Sequence, residues 1–86
     1  MENVYLIISE VTDKYGNKKD EANLHNLVFD ELDDAFHLYS HDKNVVRWKD
    51  YTDNIKTAKA NIEERFEELK KEGIIKDWKD LGNLNI

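Results

Sequence analysis

The sequence predicts an α+β fold: an antiparallel β-hairpin or three-stranded sheet with two main helices on one face, in the order β-β-α-(β)-α. Three observations carry this. Residues 4–12, VYLIISEVT, are dense in β-branched and aromatic side chains. Gly16 and Asn17 follow, a pair that accepts the backbone angles of a hairpin turn. Farther on, Ile55, Ala58, Ile62, Phe66 and Leu69 recur at helical spacing and form one apolar stripe.

The elements follow in order. Residues 4–12 read as a first strand and 13–18 as its turn. Residues 22–29, ANLHNLVF, return as a second strand. Asp30 is a good N-cap for a helix over 31–41, ELDDAFHLYSH. Leu32, Ala35, Phe36 and Tyr39 would make its buried stripe, and the acids would sit at the positive end of the helix dipole. Residues 45–51, VVRWKDY, read as a short third strand with Val46 and Trp48 inward, although a loop or a helix extension also fits. Thr52 or Asp53 then caps a long helix reaching about Glu72. Gly73 stands where a left-handed residue ends a helix, with Ile74 placed to pack on Leu69. Ile75, Trp78 and Leu81 are spaced for a short closing helix.

Eighty-six residues make one domain, 1–86, without a linker or internal repeat. The chain has no cysteine, which removes disulfides and cysteine-based zinc or redox sites and suits a reducing cytoplasm. The acidic start and short apolar run do not make a signal peptide, and no stretch is long enough to span a membrane. A cytoplasmic location is therefore expected. The chain is rich in Lys, Asn, Ile and Asp and lacks proline, as in proteins encoded by A- and T-rich DNA; a low-GC bacterium or its phage is the expected source.

The net charge of −6 comes from one stretch. Residues 20–42 hold Asp20, Glu21, Asp30, Glu31, Asp33, Asp34 and Asp42 with no Lys or Arg, while the remainder carries thirteen basic and twelve acidic side chains. Such a row serves solubility, or else forms a face for a basic partner. These seven acids are the expected partner-binding residues. The glutamates at 63, 64, 67 and 68 read as a solvated helix face.

Chemistry is sparse. On a helix, Asp33, His37 and His41 would share one face, but one helix gives too few ligands, so neither a metal nor another cofactor is expected. Neither serine, Ser9 nor Ser40, has glycine flanks or an evident base, and the three glycines are too scattered for a phosphate loop. A non-enzymatic protein is expected. Arg47, Trp48, Lys49 and Tyr51 interleave basic and aromatic side chains, a pattern that can hold nucleic acid; the overall acidity weighs against it, and direct nucleic-acid binding is not expected.

Short length, absence of cysteine, net acidity and the run Asp30-Glu31-Leu32-Asp33-Asp34 together resemble, at the level of a class, small acidic phage-encoded inhibitors, anti-CRISPR proteins in particular. The resemblance implies stoichiometric occlusion of a nuclease or other nucleic-acid-binding protein, the seven acids standing in for phosphates on its basic surface. Two alternatives use the same residues differently. An immunity protein or antitoxin would turn the acids on a basic toxin nuclease. A small nucleic-acid- or ribosome-associated protein would use Arg47, Trp48 and Lys49.

Overall fold

The structure is a computed structural model that describes residues 2–40 and 45–83. Strand β1 (Glu2–Thr12) and strand β2 (Lys18–Asp30) form the expected hairpin, longer at both ends than the sequence pattern suggests. Their register runs from Glu2 opposite Val28 to Thr12 opposite Lys18. Asp13 builds the turn: its Oδ1 accepts from Tyr15 N at 2.8 Å and Asn17 N at 2.9 Å. Gly16, at φ +83°, takes the left-handed position that a side chain would resist.

After β2 the structure departs from expectation. Residues 31–34 are a turn, not the first turn of a helix, and Ala35–Ser40 is a strand, β3, paired antiparallel with β2. The physical reason lies in two competing local signals. Asp30 Oδ1 accepts from Leu32 N at 2.9 Å, which closes a turn as readily as an acid caps a helix. Asp34 then adopts φ 53°, a left-handed conformation that Asp tolerates better than most residues. Phe36 and Leu38 point inward at period two and reach the core, while Leu32, expected in the helix stripe, is 97% exposed.

The expected strand at 45–51 shortens to β4 (Lys49–Asp50), which pairs with His37 and Phe36. Val46 is buried and Trp48 partly so, both packed on the core. Helix α1 (Ile55–Lys71) is the only helix among the described residues. Its cap is Asn54, whose Oδ1 accepts from Lys56 N and Thr57 N, and Thr52 supports that cap from outside. Ala58, Ile62, Phe66 and Leu69 are buried as expected. At its end Gly73 N donates to Lys70 O and Ile74 N to Leu69 O, a Schellman closure with Gly73 at φ +77°. Ile74 is half exposed, however; the next residue, Ile75, enters the core.

The closing segment is also a strand. Residues Asp77–Gly82 form β5 along the free edge of β1, with Trp78 opposite Ile7. The spacing of Ile75, Trp78 and Leu81 suits a helix locally, but pairing with a strand some seventy positions earlier prevails and satisfies that edge's backbone. Among the described residues the result is one five-stranded antiparallel sheet in the order β4-β3-β2-β1-β5, with a single helix on one face, in place of two helices on a smaller sheet.

Tyr5, Ile7, Leu27, Phe36 and Leu38 face the helix and form the core with Ile62, Phe66, Leu69 and Ile75. By strand alternation and register, Leu6, Ile8, Leu24, Val28, His37 and Tyr39 lie on the opposite face, which no described helix covers. No helix among the described residues is long and apolar enough to cross a membrane.

Candidate functional site

The acids of residues 20–42 do not form one row. Asp20 and Glu21 lie near the start of β2, and Asp30 ends it. Ten steps along the strand lead from Asp20 to Asp30, a distance of about 33 Å. Asp20 is paired with Lys76 at 2.9 Å, and Glu21 accepts from the Asn23 amide at 3.3 Å. Asp42 lies outside the described residues. What remains together is the β2–β3 tip: Asp30, Glu31, Asp33 and Asp34 around the exposed Leu32.

The tip is braced at its root. Asp33 Oδ2 lies 3.1 Å from Lys49 Nζ and 2.9 Å from His37 Nε2, although the histidine contact lacks hydrogen-bond geometry. The hydrogen bond from Lys49 and the charge of that ammonium hold the Asp33 carboxyl below its ordinary range. Hydrogen bonds to Tyr51 and Asp33 raise Lys49 in turn.

Asp30, Asp33 and His37 bring three donor atoms within 4.8 Å of one another. His41, the other expected member of a histidine pair, lies outside the described residues. Lys49 already supplies the positive charge that Asp33 faces, so this cluster carries no metal assignment.

Behind the tip, the sheet edge opens into a cleft of about 510 Å³ lined by His37, Leu38, Tyr39, Arg47, Trp48 and Lys49. The His37 and Tyr39 rings stack 5.4 Å apart and 10° from parallel. Lys49 Nζ sits 4.8 Å from the centre of the Tyr51 ring. The sequence pattern singled out Arg47, Trp48, Lys49 and Tyr51 but missed His37 and Tyr39, because a helix would have aimed those two side chains in different directions. The alternation of Phe36 and Leu38 with His37 and Tyr39 was the available signal.

The acidic helix face is structural in part. Glu63 accepts from Tyr5 Oη at 3.0 Å and Glu67 from Trp78 Nε1 at 3.0 Å, while Lys59 and Lys70 pair with Asp80 and Asp77. Burial raises the Asp80 carboxyl, but hydrogen bonds from Asn3, Lys59 and Gly82 N outweigh it, and the net shift is downward. These contacts clamp α1 to the β1–β5 edge. No protein-family model, no curated protein and no solved structure matches this chain.

Proposed function

We propose that this protein is a non-enzymatic binding protein that docks the β2–β3 tip onto a basic surface of a partner protein. One observation carries the reading: Leu32 is 97% exposed at the centre of a turn whose neighbours are Asp30, Glu31, Asp33 and Asp34. An apolar side chain so fully hydrated contributes nothing to the fold, yet it can fill a pocket on a partner. The surrounding carboxylates would steer encounter with a basic rim and fix register. The Asx turn at Asp30 and the Asp33–Lys49 pair hold the tip in shape, which reduces the ordering cost of docking.

The class resemblance points to a nuclease or other nucleic-acid-binding protein as the partner, with the tip carboxylates in phosphate positions and no chemical step. The test is quantitative capture from the native host. Leu32→Ser, and separately Glu31→Lys combined with Asp34→Asn, should each remove one basic protein from the captured set while circular dichroism stays unchanged. Equal retention of that protein by both variants rules the tip out.

A further inference from the structure

The cleft between β3 and the approach to β4 is separate from the tip's exposed surface, and its chemistry is of the opposite kind. Arg47 is exposed and has no hydrogen-bond or ion-pair partner among the described residues. Its planar guanidinium offers five donors and suits a phosphate. Lys49 has three ammonium donors, of which Asp33 engages one, and the ammonium also lies over the Tyr51 ring. The same cleft is lined by the half-exposed Tyr39, stacked on His37, and the partly buried Trp48, whose inner side packs on the core. Tyr51 is 73% exposed beside Lys49.

Two cations beside exposed aromatic rings match a planar ring that carries an adjoining anion. A bare inorganic anion would leave the Tyr39 ring unused; an uncharged aromatic would leave Arg47 unused. We infer that this cleft binds a nucleotide, the base stacking against Tyr39 and the phosphate held by Arg47 and Lys49. The volume of about 510 Å³ is in the range of small-ligand sites, although the cleft is wide open to solvent. The net charge of −6 opposes a long polyanion, so the contact is limited to one or two nucleotides, free or part of a single strand.

The experiment titrates isotope-labelled protein at low salt with adenosine 5′-monophosphate and, separately, with a deoxythymidine oligonucleotide of about eight nucleotides. Resonances of His37, Tyr39, the Trp48 indole and Arg47 should shift together, and added salt should weaken the effect. Arg47→Ala and Tyr39→Ala should each lower affinity by about five- to a hundredfold, while Tyr39→Phe keeps the stacking surface and most of the binding. A response to the mononucleotide identifies a free nucleotide as ligand; a response to the oligonucleotide alone identifies a strand. Absence of both responses overturns the inference, as do shifts confined to other residues or affinity indifferent to Arg47→Ala and Tyr39→Ala. Retention of Tyr39→Phe binding separates loss of a stacking ring from loss of folding.

Discussion

Tyr5 and Glu63 meet across the sheet–helix interface, the phenol donating to a carboxylate oxygen at 3.0 Å. Tyr5 is fully buried, and its ring meets Phe66 edge-on at 5.1 Å and Trp78 at 6.0 Å. Burial pushes the phenol pKa far up, and the hydrogen bond to Glu63 and its charge push it further, so the hydroxyl stays a donor at any ordinary pH. Helix α1 is thereby fixed against the sheet by an apolar cluster with a polar latch at its rim.

Tyr5→Phe removes that latch and leaves the ring contacts. Glu63 is only partly buried, so water can replace the lost donor. The expected cost is about 1 kcal/mol of unfolding free energy. Phe66→Ala deletes the ring beneath it and should cost about 3–5 kcal/mol. Urea unfolding of the two variants beside the parent protein measures both. Equal costs would mean that the hydrogen bond contributes as much as the ring packing and would contradict a packing-dominated interface.

His25 should make stability fall in mild acid. The ring is fully buried on the helix side of β2, with Nδ1 3.3 Å from Asn23 O and Nε2 unpartnered among the described residues. Burial lowers its pKa against the weaker upward effect of the Asn23 carbonyl. Between the folded value and the unfolded value of about 6.5, the unfolded chain binds the extra proton. The contribution is therefore complete above about pH 6.5 and declines as pH falls, by at most about 1.4 kcal/mol per pH unit. Asp33, Asp77 and Asp80 are lowered carboxyls whose losses come only in stronger acid, below about pH 4. Urea midpoints at about pH 7.5 and 5.5 should differ for the parent protein and converge for His25→Leu; an unchanged difference in the variant would assign the effect elsewhere.

The hairpin and the long helix were legible because each rests on a repeated local signal: the β-branched run before Gly16, and the stripe from Ile55 to Leu69. β3 was not, because 35–40 satisfies both periods. Ala35, Phe36 and Tyr39 fit a helix, Phe36 and Leu38 fit a strand, and only pairing with the long β2 decides between them. β5 was hidden for a related reason, since its partner β1 lies at the other end of the chain. The identities of the acids were plain, but their separation into two groups follows from the length of β2. The cleft needed the register of β3 against β4, which places His37 beside Lys49.

The most direct measurement of the docking claim is carbodiimide cross-linking of the captured complex, which joins carboxylates of this protein to lysines of its partner, followed by mapping of the linked peptides. Linkages should concentrate at Glu31 and Asp34, the exposed tip acids without a basic partner among the described residues. Linkages confined to Glu64 and Glu72 of the helix region, or to Glu10 beside the hairpin turn, with none at the tip, would contradict it.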